Sequence, residues 1–300
     1  MEDWESQCER IRLDAYEVMA RQGYLDRVKK AGPELERWRR YLDGLGRPGR
    51  PVSIDPMAQP RIFPMMEGLD TPPWRDAERV AATPILEKSF PTIRRELEAF
   101  DTSGFVNYDS AIHTAGRWTV MPMFNFGEEM GTFLHRHSPF LQTEHIIRSL
   151  PDACPTLPLA DVIFSAHEPH TRLIPHCSWD PFRLRLHLGI RIPVECGIRV
   201  GRESRTWREG KVLAFHDSFE HETWNGGDAT RTVLIVDVWH PGLTSSERRA
   251  ILACFRKKEI RRALMRTRAP LEMQPALYRK FAEAERRDSL VADFWNRSLS

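Results

Sequence analysis

The segment Phe182–Ile192 alternates apolar and basic residues almost without a break, which is typical of a β-strand. Because successive side chains of a strand point to opposite faces, one face is apolar and the other carries only cationic side chains and a glycine. This second face consists of Arg183, Arg185, His187, Gly189 and Arg191. Two interpretations stay open: the face lies against solvent, or it lines the inside of a barrel that binds an anion.

A second predicted strand, Thr230–Trp239, begins one of its faces with Arg231, and that face is otherwise apolar except for Asp237. Burial of a guanidinium is energetically expensive unless an acid meets it. The partner of Arg231 is therefore either an acid of the protein, such as Asp237, or a bound dicarboxylate.

Of the eleven histidines, His176 and His221 lie in or beside β-like sequence and are candidates for metal ligation. For a single histidine, packing or a surface position is the more common role. An iron site made of two histidines and one carboxylate would place an acid two residues after the first histidine. Here that residue is Ser178, and Asp180 is four residues away. The spacing alone leaves the role of both histidines open.

Short β-like runs separated by turn residues must position these side chains. Runs this close together leave no room for crossover helices, so we expect antiparallel sheets arranged as a sandwich or a barrel. The clearest runs are Asp161–His167, Thr171–His176, Phe182–Ile192, Gly197–Gly201, Lys211–Asp217 and Thr230–His240.

The flanks have the pattern of helices and loops. Apolar residues at three- and four-residue steps predict helices within 4–18 and 35–45, and the Pro- and Gly-rich stretch 46–75 predicts a loop. Ser89 is the predicted N-cap of a further helix that ends at Phe100.

After the β-rich stretch, Thr244 and Glu247 form a capping box that opens a C-terminal helix. The basic stretch Arg248–Arg268 is interpreted as a solvated helical face, with a nucleic-acid or anionic-lipid patch as the alternative. We predict a helical and loop region over 1–100, a β core over 101–243 and C-terminal helices over 244–300, together forming one domain.

The composition is that of an ordinary globular chain of 300 residues and 34.9 kDa with a formal net charge of +2. This balance disfavours a nucleic-acid-binding protein, and no apolar run reaches the roughly 18 residues of a membrane helix. Five scattered cysteines without a CxxC motif fit a reducing compartment, and the acidic N-terminus has no targeting pattern. We expect a cytoplasmic protein without a nucleic-acid or membrane partner.

Several ordered segments together resemble the aspartyl/asparaginyl β-hydroxylase family. They are Arg183–Gly189, Trp207–Leu213, Asp217–Glu222, Val236–Pro241 and Leu243–Thr244, with weaker similarity over Thr71–Trp74 and Trp118–Gly127. The close similarity covers about residues 161–247. Members of this family are iron(II)- and 2-oxoglutarate-dependent oxygenases built on a double-stranded β-helix. The resemblance implies a mainly β fold with flanking helices around a double-stranded β-helix core of the jelly-roll or cupin-like type.

The resemblance also implies the roles of individual residues. His176 and His221 would be the catalytic ligands of iron(II) without a carboxylate, which accounts for the serine at position 178. The residues that would bind 2-oxoglutarate are Ser165, Arg185, His187 and Arg231. O2 would be the third reactant, and Trp239 with the apolar strand faces would help to exclude water.

The implied reaction is hydroxylation of an unactivated C–H bond in an amino acid, a peptide or a biosynthetic intermediate that carries a carboxylate. Arg183 is a candidate for binding that carboxylate, and a salt bridge to a glutamate of the barrel is its alternative role. Family members that act on disulfide-rich extracellular domains have an arginine where this sequence has His113, with Arg117 and Trp118 nearby as further candidate substrate contacts. They also have a basic pair where this sequence has Glu128–Glu129.

A second functional interpretation is a jelly-roll binding or regulatory protein that has lost turnover. Such a protein would usually lose a metal ligand or a co-substrate arginine first, and all of them are present here. The enzyme is therefore favoured. The helices at both ends of the chain could cap the barrel or form a homodimer interface.

Overall fold

The computed structural model describes residues 4–49, 65–100, 105–108, 113–125, 132–133, 140–152, 160–178, 180–257, 259–260 and 263. The α-helices of these ranges are α1 (Trp4–Arg21), α2 (Tyr24–Lys29), α3 (Glu36–Leu45), α4 (Thr83–Ala99), α5 (Leu141–Ser149) and α6 (Ser245–Arg256). The strands are β1 (Trp74–Arg75), β2 (Val106–Asn107), β3 (His113–Ala115), β4 (Trp118–Pro122), β5 (Phe124–Asn125), β6 (Thr132–Phe133), β7 (Val162–His167), β8 (Thr171–His176), β9 (Arg183–Arg191), β10 (Cys196–Val200), β11 (Glu203–Arg205), β12 (Val212–Phe215), β13 (His221–Asn225) and β14 (Arg231–Trp239).

Two antiparallel sheets dominate the fold. The larger has the strand order β1-β12-β9-β14-β7-β4-β2, and the smaller has the order β11-β10-β13-β8-β3. From β7 onward the chain passes back and forth between them, because β7, β9, β12 and β14 belong to the larger sheet and β8, β10 and β13 to the smaller. This alternation is the topology of the double-stranded β-helix, so the predicted fold class is confirmed.

The inner faces of the two sheets meet in an apolar cluster. Phe215, Val233 and Ile235 come from the larger sheet, and Ile198 and Val200 come from the smaller sheet. All five side chains are buried. The sheets therefore close over a shared interior.

The outer face of the larger sheet is covered by helices. Leu184, Leu186 and Leu188 of β9 are fully buried in the same apolar cluster as Leu86 and Ile93 of α4. Full burial of one such side chain stabilises the fold by about 1.5–3 kcal/mol. Since these leucines point outward to the helices, the alternate residues of β9 point into the barrel. The cationic face seen in the sequence is thus the inside of a barrel from Arg183 to Gly189, whereas Arg191 at the end of β9 is exposed to solvent.

The helix predicted to open at Ser89 begins earlier, at Thr83, so the predicted N-cap is wrong. Pro84 occupies the first turn, where a missing N–H is harmless, whereas Pro91 lies inside the helix. Buried apolar residues on both sides of this interior proline hold the helix together; they are Leu86, Ile93 and Leu97. Tertiary burial overrides the local signal of the proline, which by itself resembles a helix start.

The predicted capping box is present at the start of α6. Thr244 Oγ1 accepts a hydrogen bond from the Glu247 N–H, and the Glu247 carboxylate accepts one from the Thr244 N–H. The same carboxylate pairs with Arg37 of α3. The Tyr24 hydroxyl of α2 donates to the Ala250 carbonyl at 2.7 Å. These contacts fix α6 against the N-terminal helices.

The helices predicted within 4–18 and 35–45 are present as α1 and α3. The loop predicted over 46–75 ends in the short strand β1, and residues 50–64 lie outside the described part. The basic stretch 248–268 is described only as far as residue 263. None of the helices described has the length and apolar content that a membrane-spanning helix needs.

Candidate functional site

His176 and His221 lie side by side on the paired strands β8 and β13, with ring centroids 4.1 Å apart. Their Nδ1 atoms lie 2.7 Å from the Ile174 carbonyl oxygen and 2.8 Å from the Phe219 carbonyl oxygen, respectively. Because a carbonyl only accepts hydrogen bonds, each Nδ1 carries the proton and each Nε2 keeps a lone pair. Nε2 is therefore the atom through which each ring can ligate a metal.

The protonation state of these two rings suits a metal. Removal of water from around the imidazoles lowers the pKa of His176 to about 4 and holds the pKa of His221 well below its ordinary value. Both rings are neutral at pH 7, which is the form that binds metal ions. Among the residues described, no group of three or more His, Cys, Asp or Glu side chains could hold a metal. The pair fits a divalent transition metal that takes its remaining ligands from small molecules.

Arg231 is buried on the inner face of β14, with 2% of its surface exposed. Its Nη1 donates to the Ser165 carbonyl at 3.3 Å, and its guanidinium lies 4.6 Å from the centroid of the Trp207 ring. In the described part of the chain its Nε has no hydrogen-bond partner and no acid pairs with the guanidinium. Burial lowers the pKa of Arg231 to about 9. Asp237, the protein acid considered from the sequence, pairs with other arginines, so the arrangement favours a bound anion.

The side chains around this guanidinium come from strands β4, β7 and β9 and from the loop between β11 and β12. Trp118 Nε1 donates to Ser165 Oγ at 3.0 Å, and Trp207 Nε1 donates to His187 Nδ1 at 3.3 Å. The second bond makes His187 Nδ1 an acceptor, so in the neutral ring the proton is on Nε2. That Nε2 is buried and has no partner in the ranges described. An unsatisfied buried donor costs about 1–3 kcal/mol, so an acceptor is expected here.

Gly189 allows Trp207 to reach this place. A Cβ at position 189 would lie 2.3 Å from the Arg208 carbonyl oxygen, so only glycine lets the segment after Trp207 pack against β9. The Gly210 N–H then donates to the Gly189 carbonyl at 2.9 Å. The single glycine on the cationic face is therefore part of how the surroundings of Arg231 are built.

Phe215 lies between the histidine pair and the surroundings of Arg231. Its ring centroid is 5.8 Å from that of His221 and 4.8 Å from that of His187. The His187 and Trp207 rings are stacked with centroids 6.1 Å apart, and Trp207 lies against Arg231. The two candidate binding features thus belong to one continuous interior.

Sequence reasoning missed His167. It is 1% exposed on β7, and it stands opposite Arg231 of β14 on one side and Trp118 of β4 on the other. Neither of its ring nitrogens has a hydrogen-bond partner among the residues described. The alternation of β7 carries the signal, because His167 shares a face with Ser165. We define the Arg231 pocket as Trp118, Ser165, His167, His187, Trp207 and Arg231.

The other end of the same interior holds a network of ion pairs. Arg185 binds both carboxylate oxygens of Asp237 at 2.8 Å and also pairs with Asp161 at 2.7 Å and with Asp217 at 3.2 Å. Arg183 pairs with Asp217 at 3.3 Å, Asp237 at 3.5 Å and Asp180 at 3.6 Å. We define the aspartate cluster as Asp161, Asp180, Asp217, Asp237, Arg183 and Arg185.

The acids of this cluster titrate differently. Burial raises the pKa of Asp180 and of Asp237 above the ordinary aspartate value. Burial also favours a higher pKa for Asp217, but Arg183 and Arg185 outweigh it and hold that pKa low. Asp217 also accepts a hydrogen bond from Ser178 Oγ at 2.6 Å. Ser178 occupies the position that an acidic ligand would have in a site of two histidines and one carboxylate, and it is hydrogen-bonded to an aspartate.

The predicted site residues fall into two groups. Ser165, His187 and Arg231 line one pocket, whereas Arg185 is engaged by the aspartate cluster, so its contact with 2-oxoglutarate stays a prediction. Arg183 is 2% exposed and surrounded by acids. Its environment matches the salt-bridge alternative, with aspartates in the place of the expected glutamate.

The candidate substrate contacts near the start of the barrel lie in different environments, although His113 and Trp118 are both near His167. Arg117 is exposed and binds Asn107 Oδ1 at 2.7 Å and Glu168 at 3.0 Å. His113 pairs with Leu173 across β3 and β8. Trp118 lies in the Arg231 pocket. Residues 128 and 129 lie outside the described part.

Comparison with known proteins gives one family. The model of the family described as "Aspartyl/Asparaginyl beta-hydroxylase" matches residues 87–241. The human aspartyl/asparaginyl beta-hydroxylase is 33% identical over 204 residues, which are 63% of this chain and 25% of that protein. The ornithine lipid ester-linked acyl 2-hydroxylase of Rhizobium tropici is 33% identical over 188 residues, 58% of this chain and 62% of that protein.

Among solved structures, an oxidoreductase of the 2OG-Fe(II) oxygenase family from Burkholderia pseudomallei is 12% identical. The similarity covers 52% of this chain and 81% of that chain with a TM-score of 0.39. The present chain thus spans about a quarter of the human relative and less than two thirds of the Rhizobium relative.

Proposed function

The chain belongs to the aspartyl/asparaginyl β-hydroxylase family, and from this premise we propose that it is an iron(II)- and 2-oxoglutarate-dependent dioxygenase. It would hydroxylate an unactivated C–H bond of an amino acid, a peptide or a biosynthetic intermediate that carries a carboxylate. The observation that carries the proposal is the presence, in one barrel interior, of a neutral histidine pair and a buried arginine without an acidic partner among the described residues.

His176 and His221 would hold the metal through Nε2, since their Nδ1 atoms are bound to the backbone. When bound, iron(II) would supply the redox chemistry by which O2 oxidises 2-oxoglutarate to succinate and CO2 and delivers its second oxygen atom to a C–H bond. The protein's part is to bind and orient the reactants.

Arg231 would bind a carboxylate of 2-oxoglutarate. A planar guanidinium can donate two parallel hydrogen bonds to a carboxylate, and such charge-assisted bonds are about twice as strong as neutral ones. Trp207 covers one face of the guanidinium and keeps water away from it. Low local polarity strengthens the ion pair that the ligand would make. Ser165 and His187 would supply further polar contacts.

The substrate class is proposed more broadly than the reaction type. The names of the two relatives above refer to aspartyl or asparaginyl groups in one case and to the acyl chain of a lipid in the other. We favour a small molecule or a peptide with a carboxylate as partner. A cytoplasmic location is also proposed, and the free thiols of Cys196 and Cys254 support it.

The decisive experiment is an anaerobic titration of 2-oxoglutarate into iron(II)-loaded protein, followed by its weak visible metal-to-ligand charge-transfer band. We expect a saturable band that is lost in His176→Ala and weakened in Arg231→Ala. His145→Ala, which changes an exposed histidine of α5, is the matched control and is expected to retain the band. A folded, iron-replete wild-type protein without the band would contradict the proposal and favour a binding or regulatory protein.

A further inference from the structure

Three polar side chains of the Arg231 pocket have buried nitrogen atoms without a hydrogen-bond partner in the described part of the chain. These atoms are Nε of Arg231, Nε2 of His187 and both ring nitrogens of His167. Polar groups are seldom left in this state unless a ligand or an ordered water satisfies them. His167 differs from the other two because both of its ring nitrogens are unsatisfied. His187 and Arg231 each make one hydrogen bond, to Trp207 and to the Ser165 carbonyl, respectively.

The position of His167 relates it to Arg231 and not to the histidine pair. The two residues are directly opposite each other on β7 and β14. Further along β14, Ile235 stands opposite His187 and Asp237 stands opposite Arg185. Arg185 in turn pairs with Asp217, whose charge acts on both His176 and His221. Arg231 and His167 are therefore at the end of β14 that is remote from the candidate metal ligands.

From this geometry we propose that His167 is a second hydrogen-bond donor to the carboxylate that Arg231 binds, namely the distal carboxylate of a dicarboxylic 2-oxo acid. The inference rests on the proposed function, and it assigns to His167 the choice between a dicarboxylic and a monocarboxylic co-substrate. An imidazole beside a guanidinium adds a donor without adding a charge when the ring is neutral. Burial and the charge of Arg231 both favour that neutral ring by lowering the pKa of His167.

Trp118 supports this assignment through its position. Its ring meets the His167 ring edge to face with centroids 6.0 Å apart, while its Nε1 is already bound to Ser165 Oγ. The tryptophan therefore restrains the imidazole without satisfying either of its nitrogens. A restrained donor next to a fixed guanidinium is a preorganised site for an oxyanion.

The test compares two probes that share a 2-oxo acid end and differ at the other end. Binding of 2-oxoglutarate and of 2-oxobutanoate, which has no distal carboxylate, is measured by calorimetry on the manganese(II)-loaded full chain. We expect His167→Phe to weaken 2-oxoglutarate binding about tenfold or more and to leave 2-oxobutanoate binding within about twofold. His167→Gln, which keeps an N–H donor, is expected to recover most of the loss. His145→Gln, on the exposed side of α5, is the matched control.

A double-mutant cycle of His167 and Arg231 is an independent test of the same proposal. If both side chains bind one carboxylate, His167→Phe in an Arg231→Gln background is expected to add less than about a twofold further loss. Should His167→Phe fail to fold, His167→Met serves in the same measurements. The thermal unfolding midpoint without ligand is followed in each variant, because a purely structural role would lower it while leaving the preference between the probes unchanged.

The outcomes separate the two proposals. Normal binding of 2-oxoglutarate by the wild type together with unchanged binding by His167→Phe would overturn the role of His167 alone. An equal loss for both probes would also overturn it, since the residue would then act on the 2-oxo acid end or on the fold. Absence of saturable 2-oxoglutarate binding by the wild type would overturn the proposed function as well.

Discussion

Arginines at the two ends of the barrel interior have opposite kinds of partner. In the aspartate cluster, Arg183 and Arg185 are surrounded by carboxylates of the protein, and the shortest contacts are 2.7–2.8 Å. In the Arg231 pocket, a guanidinium as buried as that of Arg183 meets a tryptophan face and a carbonyl. Arg183 and Arg231 share residue type and burial, but their partners differ. A buried cation that is neutralised within the protein holds the fold, and one that is not is available to a ligand.

The largest effect that this comparison predicts is on stability, from Asp237→Ala. The change leaves Arg183 and Arg185 buried with fewer partners and also removes the acceptor of the Asp161 N–H at 2.9 Å. We expect the free energy of unfolding to fall by about 3–5 kcal/mol, which chemical denaturation measures. Asp228→Ala, which removes a fully exposed carboxylate, is the control and is expected to have no measurable effect. A loss of unfolding free energy below about 1 kcal/mol would contradict the structural role of the aspartate cluster.

The opposite behaviour is expected of Arg231→Met. Removal of a buried charge that has no acidic partner among the described residues should leave the free energy of unfolding unchanged or raise it. Binding of 2-oxoglutarate should weaken at least about 100-fold, because the ligand carboxylate loses its charged partner. Denaturation and calorimetry on the same preparation measure both quantities. A fall in stability of more than about 2 kcal/mol would mean that the protein itself uses this arginine as a structural cation.

The ion pair of Arg37 and Glu247 is an intermediate case, because the arginine is partly exposed and the glutamate is buried. Burial favours a higher pKa for Glu247, but hydrogen bonds from Arg37 and from the Thr244 backbone outweigh it and lower that pKa. A lowered carboxyl pKa contributes stability above its unfolded value, and the contribution is lost as the pH falls through the folded value. We expect Glu247→Gln to destabilise the protein by about 1 kcal/mol at pH 7. The difference from wild type should vanish in acid, and a difference that persists at pH 2 would contradict this account.

The smallest predicted effect on ligand binding concerns the wall of the Arg231 pocket. Trp118→Phe keeps an aromatic ring beside His167, and it removes the hydrogen bond to Ser165 Oγ together with part of the buried indole. We expect a loss of about 1 kcal/mol in stability and about a threefold weaker binding of 2-oxoglutarate. Tyr108→Phe, a change in the ring that packs on Trp118, is a neighbouring control that leaves this bond in place. A loss as large as that of Arg231→Met would place Trp118 in direct contact with the ligand carboxylate.

The strands of the barrel could be predicted because their periodicity is local. The alternation over Phe182–Ile192 alone places Arg183, Arg185 and His187 on one face. What it could not give is which face is inside, since that depends on α4 covering the leucines. The start of α4 was mispredicted for the same reason: burial of Leu86 and Ile93 outweighs the proline between them.

The site was predictable only in part. The pattern of residues left the histidine pair and the partner of Arg231 undecided, and the family resemblance was needed to single out Ser165. The partners of Arg183 come from segments far apart in the chain, so no spacing rule identifies Asp217 and Asp237 together. The alternation of β7 places His167 on the face of Ser165, but its position opposite Arg231 depends on the pairing of β7 with β14, which are far apart in the chain.

Both candidate metal ligands are oriented by the backbone carbonyl two residues earlier on the chain, Ile174 for His176 and Phe219 for His221. The hydrogen bond that orients each imidazole therefore lies within a segment of three residues and involves no distant loop. Loops at the rim of the barrel can lengthen, shorten or change sequence without turning either ring. Proteins with this barrel can therefore change the loops that contact substrate during evolution while both histidine rings keep their orientation.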